Sequence, residues 1–346
     1  MIRSDQMDRR FIKEIMAEPG GEHLLTCWSC GTCAATCLVR RFNPAFNPRL
    51  ILHKAGLGLR EAVLSSAEIW ACSACDACYP RCPQGIHISQ VMRAIRNVAI
   101  RAGYEAPGPT AQVDANRCSG CGVCASVCPY EAIALVPQAV REQPQKMVAQ
   151  VNRNLCQACG LCVVACLGST ITLEHVNDIE VLSRMGAGDW LLRADLADEE
   201  PRLIALVCQW SIRSERENAQ VRAMDDEHLR VVFVPCSGRV NPLFIIEALR
   251  LGADGVLLFG CPPGDCHYLS GNYYARRRLT LLRRYLDYLG IEKERILFFW
   301  LSGAGVGRFA EVVSQATKTL RRLGPAKRLN MNVNAITTLE RLEEIR

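Results

Sequence analysis

Residues 118–129 read CSGCGVCASVCP: four cysteines spaced C-x2-C-x2-C-x3-C, followed by a proline. Thiolates at this spacing ligate [4Fe–4S] clusters, because the two-residue gaps let them wrap one face of a cubane while backbone N–H groups point at its sulfurs. The same spacing occurs four times in the 346 residues, which makes chance negligible. The runs are Cys27, Cys30, Cys33, Cys37; Cys72, Cys75, Cys78, Cys82; Cys118, Cys121, Cys124, Cys128; and Cys156, Cys159, Cys162, Cys166.

The four runs predict two pairs of clusters, because the fourth cysteine of such a run reaches across to the other cluster of its pair. Zinc is the main alternative, but zinc sites use two cysteine pairs separated by a longer loop and have no use for a third cysteine. The predicted ligand sets are Cys27, Cys30, Cys33 and Cys82 (cluster 1); Cys72, Cys75, Cys78 and Cys37 (cluster 2); Cys118, Cys121, Cys124 and Cys166 (cluster 3); and Cys156, Cys159, Cys162 and Cys128 (cluster 4).

The sequence around the runs differs between the two pairs. Cys37 and Cys72 are 35 residues apart with a helix-like pattern between them, so residues 1–107 predict an all-α dicluster ferredoxin-like domain. Cys128 and Cys156 are 28 residues apart, and strand-length segments flank their runs. Residues 108–177 therefore predict an α+β bacterial 2[4Fe–4S] ferredoxin domain, built as an internal duplication.

From residue 201 the pattern changes to alternating strands and helices. Strand-length apolar runs at 203–207, 231–234, 256–259 and 296–300 alternate with helix candidates such as 243–251 and 276–289. This alternation predicts an α/β parallel-sheet domain over residues 201–325, with right-handed crossovers. Residues 178–200 are interpreted as a connector, and 326–346 as a C-terminal tail ending in a helix.

Four cysteines remain outside the runs: Cys208, Cys236, Cys261 and Cys266. Three of them follow predicted strands, and the carboxyl ends of parallel strands converge on the edge where such sheets bind ligands. We therefore predict a [2Fe–2S] cluster at this edge. A zinc ion and ordinary buried cysteines stay open as alternatives. His267 is a possible ligand, although a hydrogen-bonding neighbour of the site is the favoured interpretation.

The 20 cysteines favour a reducing, cytoplasmic setting, because the charged N-terminus MIRSDQMDRRFIKEIM has no signal-peptide pattern. No segment approaches the roughly 18 apolar residues of a membrane span. Taken alone, the formal charge of +6 suggests a nucleic-acid partner. Five clusters of about −2 each would add roughly −10, however, so we expect no nucleic-acid partner.

Three parts of the chain resemble known redox proteins. Residues 24–104 resemble the C subunit of heterodisulfide reductase, in CWSCGTCAATC and IWACSACDACYPRCPQGIHISQVMRAIRNVA. Residues 112–176 resemble the ferredoxin insert of its flavoprotein A subunit, in CSGCGVCASVCPYEAI. Residues 202–323 resemble the delta subunit of methyl-viologen-reducing hydrogenase, in PCSGRVNP and EALRLGADGVLLFGCPPGDCHYLSGNYYARRR.

These resemblances imply an anaerobic, non-catalytic electron-transfer subunit of a flavin-based oxidoreductase complex, with electron bifurcation left open. They imply four [4Fe–4S] clusters and one [2Fe–2S] cluster. The implied partners are a flavoprotein like the A subunit of heterodisulfide reductase and a catalytic protein, which is a B-type reductase, a hydrogenase or a formate dehydrogenase. The delta family usually has a second cysteine where Ser211 stands, so ligand identity at that site stays open.

The sequence shows no flavin fingerprint and no nucleophile or histidine–carboxylate constellation, so we predict no catalytic residues. The loop 302–307 lies between a predicted strand and helix, but its GxGxG spacing departs from dinucleotide loops. We therefore expect this chain itself to bind no flavin or nucleotide. The alternative functions are a stand-alone iron–sulfur reductase, or an adaptor that links a hydrogenase or formate dehydrogenase to another acceptor.

Overall fold

The computed structural model describes residues 7–138, 146–174, 176–186, 200–212, 214–301 and 305–326. The chain forms two compact units. The first holds residues 1–110 with 130–132 and 151–157, and the second holds 111–129, 133–150 and 158–346. The domain boundaries predicted from the sequence, after residues 107, 177, 200 and 325, divide the chain by pattern and stay predictions.

The first unit is helical, as the sequence predicts. Its core is formed by buried apolar side chains that include Phe11, Ile15, Leu52, Val91 and Ile95. Cys33 lies inside a short helix and Cys37 lies between two of them, so helix ends hold the first run. The helices are α1 (Arg9–Met16), α2 (Thr32–Thr36), α3 (Leu38–Phe42), α4 (Pro48–Gly56), α5 (Arg60–Leu64) and α6 (Ile88–Arg101).

Side-chain caps explain where two of these helices begin. Asp8 accepts a hydrogen bond from the Arg10 N–H at the start of α1, and Asn47 accepts one from the Leu50 N–H at the start of α4. Pro48 follows Asn47 at the first helical position, where a missing N–H costs no hydrogen bond. Such caps satisfy N–H groups that the helix itself leaves unpaired.

The ferredoxin part shows the predicted duplication. Each half places a short helix after its first two cysteines, α7 (Val123–Ser126) and α8 (Leu161–Ala165). Strand β1 (Ala111–Val113) pairs antiparallel with β4 (Ile171–Leu173), with Gln112 opposite Thr172. Strand β2 (Ile133–Gln138) pairs with β3 (Lys146–Val151) in a second two-stranded sheet. The predicted strands near residues 132–136 and 171–173 are thus confirmed.

The C-terminal part is a four-stranded parallel sheet, as predicted. Its strands are β5 (Leu203–Cys208), β6 (Leu229–Val234), β7 (Gly255–Gly260) and β8 (Ile296–Trp300). They lie in the order β6-β5-β7-β8. Strands β5 and β7 are neighbours, but the chain leaves β5 towards β6 on one side and leaves β7 towards β8 on the other, so the connections diverge between the carboxyl ends of β5 and β7. Such a topological switch point leaves a crevice where α/β proteins bind ligands.

Helices cover both faces of this sheet. Apolar residues of α9 (Asp178–Met185), α11 (Pro242–Arg250) and α12 (Gly271–Tyr288) pack on one face. Those of α10 (Glu215–Arg222) and α13 (Gly305–Leu323) pack on the other. The predicted connector contains α9, while residues 187–199, the tail from 327 and the loop positions 302–304 lie outside the described residues. In the described ranges no helix has the length and apolar character to cross a membrane.

Candidate iron–sulfur sites

All four cysteine runs share one backbone feature. In each run the residue before the second cysteine and the residue after it have φ angles between 51° and 88°. Non-glycine residues seldom adopt this left-handed conformation, and strain of this kind clusters at functional sites. The eight residues are Ser29, Gly31, Ala74, Asp76, Gly120, Gly122, Ala158 and Gly160. Turns of this sort direct successive N–H groups into a concavity that binds anions.

Some of these N–H groups point at cysteine sulfur. The Ser29 N–H donates to Cys27 Sγ and the Gly120 N–H donates to Cys118 Sγ, each over 3.4 Å. Both donors occupy the same position in their runs, one residue before the second cysteine. Donors aimed at the sulfurs are what the anionic thiolates of a cluster require, so the backbone fits the predicted cofactor.

The ligands predicted for cluster 1 line one cavity. It has a volume of about 330 Å³, including some open solvent, and Arg49 contributes to its wall. Burial raises the pKa of Cys33 to about 11, whereas the Thr32 hydroxyl lowers the pKa of Cys30. Cluster ligands bind as thiolates, so loading the site releases the proton of Cys33. The cysteines in this wall are Cys27, Cys30, Cys33 and Cys82.

For cluster 2, the structure brings Cys37 close to the second run. Burial, together with the charges of Cys72 and Cys75, raises the pKa of Cys37 to about 11. Burial also raises the pKa of Cys78, with contributions from Cys72 and Cys75. The fourth cysteine of the first run therefore lies within electrostatic reach of the second run, as cross-ligation requires.

The ligands predicted for cluster 3 line a second cavity, of about 430 Å³ including some open solvent. Burial raises the pKa of Cys124, and the charges of its neighbours in the set add to this effect. The Thr170 N–H donates to Cys166 Sγ over 3.4 Å, which supplies that sulfur with a hydrogen bond. The cysteines of this wall are Cys118, Cys121, Cys124 and Cys166.

The set predicted for cluster 4 is Cys156, Cys159, Cys162 and Cys128. Cys159 and Cys162 are buried in the second unit, which also contains Cys128. Cys156 belongs to the first unit. This ligand set therefore stays a prediction from the spacing.

The four remaining cysteines converge at the switch point of the parallel sheet. Cys208 ends β5, Cys236 follows β6, Cys261 follows β7, and Cys266 lies in the loop after it. All four are buried, and the sulfurs of Cys208 and Cys261 are 3.9 Å apart. The prediction that they share one edge of the sheet is confirmed by this geometry.

The thiols of this quartet interact strongly with one another. Hydrogen bonds with Cys236 and Cys261 hold the pKa of Cys208 well below its usual range. A hydrogen bond with Cys236 lowers the pKa of Cys266 to about 7. The donors in these pairs, Cys236 and Cys261, have raised pKa values for the same reason. These mutual effects show that the four thiols of the quartet form one group of interacting sulfurs.

Throughout the described residues, no three His, Cys, Asp or Glu side chains stand close enough together to hold a single metal ion.

Helix α12 begins directly against the C-terminal quartet. Asn272, in its first turn, donates hydrogen bonds to the carbonyls of Cys261 and Pro262. Gly271 approaches so closely that a Cβ atom there would collide with Cys236 Sγ and lie 3.8 Å from Cys266 Sγ. The N-terminus of this helix, with its positive end of the dipole, therefore faces sulfurs that would be anionic in a cluster.

Replacing Gly271 with alanine is expected to disrupt the C-terminal cluster selectively, because the added methyl group displaces Cys236 Sγ. The expected result is a loss of about two irons per chain with the cubane signals retained. Iron analysis and electron paramagnetic resonance (EPR) spectroscopy of the reduced protein would measure this. Gly307→Ala is the matched control, since this helical glycine has open space around it. Equal iron content in both variants would contradict the expectation.

Three aromatic side chains close to the quartet in sequence pack against one another. The ring of His267 stacks on Trp210 with centroids 3.5 Å apart and meets Tyr268 edge-on at 4.8 Å. Burial lowers the pKa of His267 to about 3, so its imidazole is neutral. The Ser211 hydroxyl donates to the carbonyl of Cys208 over 2.6 Å. Ser211 therefore closes a turn in the described geometry.

Known protein families match separate stretches of the chain, and each stretch contains at least one of the four cysteine runs or the C-terminal quartet. A model described as "4Fe-4S dicluster domain" matches residues 23–86, and two "4Fe-4S binding domain" models match 111–134 and 153–169. A model for "Methyl-viologen-reducing hydrogenase, delta subunit" matches 203–324. Over 129 residues the chain is 47% identical to the iron-sulfur D subunit of the F420-non-reducing hydrogenase of Archaeoglobus profundus, covering 94% of that protein and 37% of this chain.

The chain belongs to the hydrogenase delta subunit family. It is also 35% identical over 224 residues to the A subunit of the ferredoxin:CoB-CoM heterodisulfide reductase of Methanosarcina mazei, which covers 64% of this chain but 26% of that protein. The C subunit of the H2:CoB-CoM heterodisulfide,ferredoxin reductase of Methanothermobacter marburgensis is 37% identical over 107 residues, which is 31% of this chain and 57% of that protein.

This delta-family chain is a fusion that joins [4Fe–4S] ferredoxin domains to the domain of the delta family. It is an iron–sulfur electron-transfer protein related to heterodisulfide reductase subunits and to the delta subunit of hydrogenase. The predicted resemblances are thus confirmed.

Sequence reasoning missed several residues around the sites. Gly271 carries no local motif that marks its approach to a cysteine 35 positions earlier. The left-handed backbone positions could have been found from the sequence. When the four runs are aligned, Gly120 occupies the same position as Ser29, Ala74 and Ala158. Glycine at one member of such a set indicates a conformation that the other members share.

Proposed function

We propose that this chain is the electron-transfer subunit of a cytoplasmic, flavin-based complex like heterodisulfide reductase. Electrons pass between a [2Fe–2S] cluster in the switch-point quartet and the two pairs of [4Fe–4S] clusters. Catalysis lies in partner proteins, which are a flavoprotein resembling the A subunit of heterodisulfide reductase, and a hydrogenase, a formate dehydrogenase or a B-type reductase. The chain's own residues provide ligands, hydrogen bonds and burial, which set the cluster potentials.

One contact within the second unit carries this proposal. Helix α8, which contains Cys162, packs against the short 3-10 helix Ser237–Arg239 that follows Cys236. A Cβ atom on Gly238 would lie 2.6 Å from Leu161 Cδ2 and 2.8 Å from the backbone oxygen of Gly271, and the backbone contact requires glycine at this position. A cysteine run of the ferredoxin part is thereby held beside the quartet, which supports electron transfer between them inside one chain.

Arg239 strengthens the same contact. Its side chain is fully buried against Gly160, where a Cβ atom would collide with it. Its guanidinium donates to the carboxylate of Asp178 and, over 3.1 Å, to the carbonyl of Val176. If either partner were removed, the guanidinium charge would stay buried without compensation, so the packing of Arg239 depends on Asp178 and on the carbonyl of Val176.

The proposed role is tested by asking whether a hydrogenase or a formate dehydrogenase can reduce the clusters of this protein. We expect anaerobic protein to lose its visible cluster absorption when mixed with a hydrogenase that lacks its delta subunit under H2, or with a formate dehydrogenase and formate. NAD(P)H alone is expected to leave the absorption unchanged. Bleaching by NAD(P)H alone would instead favour a stand-alone reductase. Failure of both enzymes to reduce a protein that dithionite reduces would contradict the proposed role.

A further inference from the structure

Arg96, in α6 of the first unit, is a buried cation beside the second cysteine run. Its Nε atom donates to the carbonyl of Ile69 over 2.7 Å, and its Nη2 atom donates to the carbonyl of Cys72 over 2.6 Å. Its guanidinium also lies 6.0 Å from the centroid of the Trp70 ring. These contacts fix the positive charge at the start of the run that supplies Cys72, Cys75 and Cys78.

The charge of Arg96 is permanent and acts on a cluster ligand. A guanidinium keeps its proton in proteins, so its charge does not depend on pH in the working range. Burial and, to a lesser extent, the charges of Cys75 and Asp76 raise the pKa of Cys72, and the Arg96 charge, whose effect is larger than that of either of these two charges, opposes that rise. The interaction takes place away from water, where the low effective dielectric makes it stronger than at the surface.

Cluster 1 is the other cluster of this pair. Among the described residues that form its cavity wall, no cation is as deeply buried as Arg96. Arg49 contributes to the wall around Cys27, Cys30 and Cys33, but it is partly exposed to solvent. Water and salt screen such a charge more effectively than a buried one. The two clusters of the first pair therefore experience different electrostatic surroundings, although their ligand spacing is identical.

We propose that Arg96 makes the cluster held by Cys37, Cys72, Cys75 and Cys78 the higher-potential member of the first pair. The inference rests on the cluster assignment of the proposed function. On reduction the cluster gains one electron with no bond made or broken, and its total charge falls from about −2 to about −3. A fixed neighbouring cation stabilises the more negative state, so an electron delivered to this pair comes to rest on cluster 2.

The test is an anaerobic redox titration of the full-length protein, with dithionite and mediators, followed by EPR spectroscopy. Arg96→Gln removes the charge, Arg96→Lys keeps it, and Arg93→Gln removes an exposed charge from the same helix as a control. We expect Arg96→Gln to disfavour one reduction step by at least about tenfold, a shift of about 59 mV to lower potential. Arg96→Lys should keep most of the original potential, and Arg93→Gln should keep all of it.

Two results would overturn the inference. One is a fully loaded Arg96→Gln protein with unchanged reduction steps. The other is an equal shift in Arg96→Lys, which would assign the effect to lost hydrogen bonds. If Arg96→Gln does not load iron, two ligand variants test the order of the potentials instead. Cys75→Ala must then remove the higher-potential reduction step of the first pair, and Cys30→Ala must remove the lower-potential step. A wild-type protein without cubanes would refute the proposed function itself, whereas unchanged steps in a loaded protein refute only the role of Arg96.

Discussion

A chain in which Cys30 and Cys82 are both replaced by alanine is expected to lose one cubane, or about four irons. Replacing Cys30 and Cys37 together should remove two cubanes, or about eight irons. The reason is that Cys82 lines the cavity of the first run, whereas Cys37 lies by the second run. Iron and acid-labile sulfide per chain, with EPR spectra of the reduced proteins, would measure both variants.

Ligation within each run would give the opposite result, because Cys30 and Cys37 would then serve one cluster and Cys82 another. The single variant Cys30→Ala is the control, and it should lose the same one cubane as the Cys30/Cys82 pair. Retention of the clusters in the ferredoxin part shows that each variant has folded. Two lost cubanes in the Cys30/Cys82 variant, with one lost in the Cys30/Cys37 variant, would contradict cross-ligation.

Replacing Cys261 with alanine is expected to remove the C-terminal cluster, about two irons, and to leave the four cubanes in place. Cys261 is buried at the switch point with its sulfur 3.9 Å from that of Cys208, so removal leaves three ligands. Reduction of the cubanes by hydrogenase and H2 should then be lost, while dithionite still reduces them. Iron analysis and the rate of cluster bleaching with each reductant would test this expectation.

Ser211→Ala provides the matched control for this variant. The Ser211 hydroxyl donates to the backbone carbonyl of Cys208, so its loss costs about 1 kcal/mol of turn stability and no ligand. This variant should keep its full iron content and its reduction by hydrogenase. Loss of the C-terminal cluster from Ser211→Ala, or its retention in Cys261→Ala, would show that the ligand set has been assigned wrongly.

The sequence predicted the parts of this molecule that depend on local spacing. Each C-x2-C-x2-C-x3-C run indicates a [4Fe–4S] site because three of the cluster's ligands come from one short loop, and only the fourth comes from the paired run. The alternation of apolar strands and helices after residue 201 likewise predicted a parallel sheet. From that sheet the convergence of Cys208, Cys236 and Cys261 followed, since strand ends meet at one edge.

The sequence could not predict features that depend on contacts between distant residues. The approach of Gly271 to Cys236, and the burial of Arg96 beside Cys72, arise only when whole helices pack. Helix periodicity places Arg96 in α6 but does not tell which of its polar side chains enters the core. The contact between Gly238 and Leu161 joins two parts of the chain that the sequence pattern predicts to be different domains.

The central claim, that this chain conducts electrons through five iron–sulfur clusters, is tested most directly by a metal count. Iron, acid-labile sulfide and zinc would be measured per chain on anaerobically purified protein. About 18 irons with matching sulfide and no zinc are expected, from four cubanes and one [2Fe–2S] cluster. About 16 irons would preserve the cubanes and refute the C-terminal cluster. Several zinc ions with little iron would contradict the account as a whole.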